Sequence, residues 1–328
     1  MSPAVALLGR AALLPSPPRL LRDDPELCGG EAPDGLRVRS LSGQLDTAPD
    51  GMSRWKRLDR YGQALAVVCD RAIDRDTVSG GPPTGLYVAS LRSCFETNTA
   101  FDRGLIEKDP RLASPLLFPH TLPGATASEV AMLLGLLGPY LVFPGDAAAA
   151  LAALLTAIDA IEAGEANRLL VATADVLGPE TIEWLTEHDE LRDARAPPLS
   201  EAAAALWIGR ADDPATGARR TIEGALGPAQ PSAEQYERLI REALERARIG
   251  AGEIRETVST TLTADDHAAL SEAMGRSAPE SEILQIAWTA GDAGASTGLL
   301  AVQAALDEEE PRLVLAGGNA GSVALVVV

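Results

Sequence analysis

The sequence predicts an α/β fold built from an internal duplication, and three observations carry that reading. Apolar strand-length runs alternate with longer runs of helical spacing along the chain. Leu169–Thr173 is continuously apolar, the signature of a strand covered on both faces. Gly145-Asp146-Ala147-Ala148-Ala149 heads one apolar run, and Gly291-Asp292-Ala293-Gly294-Ala295 heads another, at an offset of 292 − 146 = 146 residues. Each run follows a strand and leads through a polar break into another apolar strand, which favours duplication over chance similarity of alanine-rich helices.

The elements follow in order. Val5–Leu8 reads as a first strand, and 15–51, rich in Pro, Gly, Asp and Ser, as loop with at most short strands. Leu58, Tyr61, Leu65 and Val68 share a helix face within 55–73. A Gly80–Pro83 turn leads into a strand at 86–89. Residues 127–137 are apolar nearly all round and predict a buried helix, followed by a strand at 140–143. Residues 147–161 predict a second buried helix, with Gly164 placed to end it. Polar 210–220, with Pro214 and Gly217, is the best boundary, dividing the chain into 1–212 and 213–328 within one compact unit. Beyond it come a charged amphipathic helix (233–248), a strand (256–261), a helix (266–274), a strand (283–288), an apolar helix (293–305) and closing strands at 313–315 and 323–328.

Composition narrows the function. The chain has 328 residues, and hydrophobic residues make up 46%, enough for a substantial core. The formal net charge of −19 argues against nucleic acid or an anionic membrane surface as a partner. No run of about 20 apolar residues and no signal-type leader is present, so a cytoplasmic protein is expected. Cys28, Cys69 and Cys94 are too scattered for a disulfide framework or a metal site, and His120, His188 and His267 are the only histidines. Neither a metal nor a cofactor is expected.

The arrangement resembles the thiolase superfamily, specifically the β-ketoacyl (acyl-carrier-protein) synthases. The resemblance rests on Arg57-Leu58-Asp59-Arg60 and the helix after it, on Ser114–Pro119 followed by Ala125–Leu137 and Gly138-Pro139, and on the Gly317-Gly318-Asn319 turn, in that order and spacing. It implies a thiolase-like, internally duplicated five-layer αβαβα sandwich. Members of the family are longer, so the C-terminal half is expected to be shortened.

The resemblance also exposes missing chemistry. Active members carry a cysteine at the head of the first central helix, where unpaired amides and the helix dipole stabilise a thiolate and an oxyanion. Counted from Gly138-Pro139, that position is Ala147. The family's two histidines would fall near Thr261 and at Asp292, and neither position holds imidazole. No cysteine is expected at a helix head of this kind, Cys94 is expected to be a structural thiol, and His267 is expected to face solvent. Asp146 and Asp292 each precede an apolar run and read as N-caps, with a carboxylate pair for acid–base work as the alternative. His188 reads as part of a solvated acidic patch, and no role is carried over to Glu201.

The implied function is a non-catalytic, chain-length-factor-like subunit. It would pair with an active β-ketoacyl synthase, meet an acyl carrier protein only through that partner, and bound the tunnel that holds a growing acyl or polyketide chain. Phe118, His120, Thr121 and Leu122 are the interface or tunnel candidates. A homodimeric acyl-binding or scaffold protein, and a thiolase-fold enzyme using altered residues, remain the alternatives.

Overall fold

Residues 5–15, 17, 19–20, 37–41, 43–187, 197–212 and 219–328 are described by a computed structural model. The N-terminal half runs β1 (Val5–Leu13), β2 (Arg19–Leu20), β3 (Arg37–Arg39), α1 (Arg60–Ala72), α2 (Arg75–Gly80), β4 (Thr84–Ser90), α3 (Phe95–Glu107), α4 (Pro123–Leu134), β5 (Tyr140–Pro144), α5 (Ala147–Glu162), β6 (Arg168–Asp175), α6 (Pro179–Glu187), β7 (Leu199–Ser200) and β8 (Ala202–Arg210). The C-terminal half runs β9 (Arg219–Arg220), β10 (Ile222–Gly227), α7 (Ala233–Ala247), β11 (Glu256–Ser259), α8 (Ala264–Ser277), β12 (Glu282–Gln285), α9 (Ile286–Ala290), α10 (Ser296–Leu306), β13 (Arg312–Gly318) and β14 (Gly321–Val327).

Sheet topology gives the duplication its physical form. Among the described residues the first large sheet is ordered β5-β4-β6-β8-β1, with β9 added at its end, and the second β12-β11-β13-β14-β10. In both, the first two pairings are parallel and the last two antiparallel. The C-terminal half, expected to be shortened, therefore keeps a complete copy of the five-strand order.

Among the described residues, side chains alternate across the strands of the two large sheets and build three large cores. Leu169 and Val171 of β6 join α5 and α10 in the central core, while Leu170, Ala172 and Ala174 pack outward against α1 and α4. On the second sheet Val323, Leu325 and Val327 point inward, and Ala324 and Val326 pack against α7 and α8. The layers are thus α1/α4, sheet, α5/α10, sheet, α7/α8, the five-layer sandwich expected from the resemblance. Small residues let the two central helices touch: a Cβ added to Gly298 of α10 would lie 2.4 Å from Ala147 O and 3.1 Å from Ala150 Cβ of α5.

Three sequence expectations change. α4 starts at Pro123, ends at Leu134 with Gly135 in the left-handed conformation, and buries one face only; Met132 is exposed, and Leu137 lies beyond the helix at 83% exposure. Its apolar residues outnumber what one sheet face can cover. The strand expected at 283–288 stops at Gln285, and Trp288 belongs to α9. α10 begins at Ser296, not directly after Asp292. Pro214, Gly217, His188 and Cys28 lie outside the described residues.

Candidate functional site

At the head of α5 the chain leaves β5, turns at Gly145 (φ +147°) and enters the helix through Asp146. Asp146 is the N-cap: its Oδ1 accepts the Ala148 N–H at 3.1 Å. Its Oδ2 accepts the Ala320 N–H at 3.3 Å, which ties the helix head to the turn between β13 and β14. A Cβ on Gly318 would run into the Asp146 carboxylate, and one on Gly317 into the buried Tyr236 hydroxyl. The glycine pair is clamped between two side chains and has no room for a third. Ala147, the first helical residue, is buried beneath this arrangement. The positive end of the helix is therefore capped by the protein's own anion, a poor site for an incoming oxyanion.

The head of α10 is built differently, and here Asp292 departs from its expected role. Asp292 is held by its backbone: Ser200 N–H donates to its carbonyl and its own N–H donates to Pro198 O, each at 2.9 Å. Its Oδ1 accepts the Gly294 N–H at 3.1 Å within the loop before the helix. The Ala295 N–H, at the helix head itself, donates to Asp175 Oδ2 at 2.8 Å. Asp175 comes from the end of β6 and is fully buried; its Oδ1 accepts the N–H of Leu91 at 2.9 Å, that of Arg92 at 2.8 Å and the Ser90 hydroxyl at 3.1 Å. Burial pushes its carboxyl up to about 6, against the lowering pull of Arg92 and of these donors.

Thr261 follows β11, with its hydroxyl 3.0 Å from Ser259 Oγ and its N–H donating to the same oxygen at 3.2 Å. His267, expected in solvent, is half-buried: its Nδ1 meets the side-chain amide of Gln285, at the end of β12, and its Nε2 lies 3.4 Å from Ser271 Oγ. Cys94 occupies the N-cap position of α3, which is not one of the two central helices. It does not cap through its side chain. Its thiol donates to Thr121 O at 3.1 Å, and burial raises its pKa, which keeps it protonated. Among the described residues no hydrogen bond or ion pair joins a cysteine or histidine to Asp146 or Asp292, and no cluster of His, Cys, Asp and Glu could hold a metal ion.

Phe118, His120 and Thr121 lie in a 3₁₀ turn (Phe118–Thr121), with Leu122 leading into α4. Phe118 packs at a tilt against Phe101, with ring centroids 5.8 Å apart, but stays 60% exposed, and Leu122 is 61% exposed. Leu116, Met132, Leu137 and Leu141 are exposed on the same stretch, and β5 is the edge strand of its sheet. His120 supplies the polar spot, with Nδ1 3.5 Å from Thr126 Oγ1 and Nε2 3.7 Å from Glu129. An apolar expanse beside an open strand edge is the character of an interface.

Sequence reasoning missed Asp175, although an acidic residue closing a continuously apolar strand is out of place and was a usable signal. It also gave no role to Glu201. This buried carboxylate accepts Arg60 Nε and Nη2 at 2.7 Å each, Leu41 N–H at 2.7 Å and Leu177 N–H at 2.9 Å, locking α1 to the start of β8.

Residues 11–203 match the family model described as Beta-ketoacyl synthase, N-terminal domain. No curated protein matches the chain. Among solved structures, the ishigamide ketosynthase/chain length factor aligns with TM-score 0.74 at 20% identity, over 99% of this chain and 98% of that one. A β-ketoacyl synthase from Burkholderia phymatum STM815 aligns with TM-score 0.79 at 16% identity, over 99% of each chain. A chain of the AntDE:AntF assembly, a type II PKS acyl-carrier protein in complex with its ketosynthase bound to the hexaketide, aligns with TM-score 0.77 at 14% identity, over 100% of this chain and 99% of that one. At these identities the structural matches establish the fold.

Proposed function

The chain belongs to the β-ketoacyl synthase family, and on that premise we propose that it is a non-catalytic, chain-length-factor-like subunit that pairs with an active synthase. One observation carries the reading: the position that the family resemblance gives to the nucleophile is Ala147, and Asp146 and the Gly317–Ala320 turn cover the helix head above it. A methyl group forms no thioester, and a resident carboxylate opposes the negative charge that acyl transfer develops. The loop before the second central helix has Asp292 where the resemblance expects imidazole, with its carboxylate engaged by Gly294 and near Arg92.

The partner surface in this reading is the open edge of β5 with Leu116, Phe118, Leu122, Met132 and Leu137 around it. Phe118, His120, Thr121 and Leu122 then lie beside the path of a chain growing on the partner's nucleophile. The −19 charge supports leaving the docking of an acidic carrier protein to that partner. The pair would act in polyketide or fatty-acid biosynthesis.

Co-expression with a synthase from the same gene neighbourhood tests the proposal. The expected result is a stable one-to-one complex, with condensation dependent on both chains and no acyl adduct on this one. Turnover or a covalent adduct on the isolated chain overturns it in favour of an enzyme with altered residues. A dimer of this chain that ignores the synthase overturns it in favour of a homodimeric acyl-binding or scaffold protein.

A further inference from the structure

β3 and β7 pair in parallel with Arg39 opposite Ser200, and the Gly291-Asp292 backbone continues the ladder beyond β7 through the Leu199–Asp292 bridge. The Arg39 stem and the Arg92 guanidinium both reach this narrow strip. The aliphatic stem of Arg39 reaches across β7 to Gly291, whose added Cβ would lie 3.2 Å from Arg39 Cδ. Gly291 is constrained to glycine twice over, by its φ of +88° and by Ser200 Cβ, which the same added atom would meet at 2.6 Å. Arg92 Nη1 lies 3.3 Å from Ser200 O, and its Nη2 lies 3.4 Å from Asp292 O and 3.8 Å from Asp292 Oδ2.

Arg92 faces two carboxylates, and Arg39 faces none among the described residues. Asp292 is the carboxylate that Arg92 faces at the surface of the strip, and Asp175, beneath it, is engaged by Ala295 and by the backbone of Leu91 and Arg92. Arg39 has no carboxylate and no hydrogen-bond acceptor for its side chain among the described residues, and its Nε is buried. A guanidinium carries its charge at every physiological pH, and a half-buried, unpaired one costs free energy that a bound anion recovers. The strip meets solvent at Asp292, whose side chain is 23% exposed. A planar fork held on a rigid three-strand ladder fits an oxyanion that offers two oxygens.

We propose that Arg39, flanked by Arg92, is an anion-binding residue for a ligand bearing a carboxylate or phosphate, at the loop that leads into α10. The site is separate from the apolar β5 edge, and it stands whether or not the chain pairs with a synthase.

Calorimetric titration of the full chain with malonate and with inorganic phosphate, at an ionic strength fixed with chloride, tests this. Saturable binding of at least one anion is expected, weakened at least tenfold by Arg39→Gln with the circular dichroism spectrum unchanged. Arg39→Lys keeps the charge and stem but loses the fork, and intermediate affinity is expected of it should the glutamine variant fold poorly. Tighter malonate binding assigns the site to a carboxylate ligand, and tighter phosphate binding to a phosphate ester. Absence of saturable binding, or equal affinity in wild type and both variants, overturns the proposal.

Discussion

Asp175, the last residue of β6, accepts the backbone N–H of Ala295 at 2.8 Å across 120 residues of sequence. A carboxylate from the first repeat thus satisfies the head of the central helix of the second. The same carboxylate holds Leu91 and Arg92 through their amides, so it fastens the loop before α3 to the loop before α10.

This buried acid gives a pH signature. Its value in an unfolded chain is about 3.9, and burial raises it to about 6 in the fold. The fold therefore binds the proton more tightly than the unfolded chain does. The resulting stability is fully present below about pH 4 and is lost as the pH rises through about 6, by roughly 2–3 kcal/mol. Urea unfolding of wild type and Asp175→Asn across pH 4 to 7 should show the wild type losing that much relative to the variant. A difference between the two that does not change with pH would contradict the assignment.

Asp146 and Gly318 should couple. Asp146→Ala removes an N-cap and should cost about 1 kcal/mol. Gly318→Ala forces a methyl into the Asp146 carboxylate and should cost about 1–3 kcal/mol as overpacking. In the double variant the methyl enters vacated space, so the combined loss should fall short of the sum. Denaturant midpoints around the cycle read this directly, and strict additivity would mean that the turn does not rest on Asp146.

A thiol introduced at Ala147 should not by itself bring acyl chemistry. Ala147→Cys places sulfur at the helix head, but Asp146 keeps its negative charge there and the Ala320 contact keeps the turn closed. Intact-mass measurement of the variant after incubation with an acyl thioester should show no adduct at the introduced thiol. Acylation at a rate typical of a working synthase would show that the covering carboxylate is no barrier.

The exposed apolar edge should govern association and leave the fold alone. Leu116→Asp and Leu137→Asp alter side chains that are 81% and 83% exposed, so stability should stay within about 0.5 kcal/mol. Light scattering after size exclusion should show loss of the complex with its partner in either variant. Retention of a full-strength complex by both would move the interface elsewhere.

The internal repeat, the alternation of strands and helices and the two apolar central helices were legible because each is a local pattern repeated at a fixed offset. Asp146 was legible as a cap for the same reason: it acts on an amide two residues away. Asp292 was misread because its sequence neighbourhood copies that of Asp146, whereas the loop extends to Ala295 before the helix begins. α4 looked buried because composition records how apolar a helix is and not how many of its faces meet protein.

By itself, the sequence determined a duplicated α/β sandwich, and it holds Ala147, Thr261 and Asp292 at the positions to which the family resemblance points for sulfur and imidazole. Tertiary structure alone decided that Asp175 satisfies the head of α10, that Glu201 locks Arg60, that Cys94 pins the turn carrying Phe118, and that Arg39 is left without a counter-charge among the described residues. The reason is reach. Helical and strand periodicity are set by neighbours within a few residues, whereas the partner of a buried charge or thiol is whatever chain crossing the fold brings within about 3 Å.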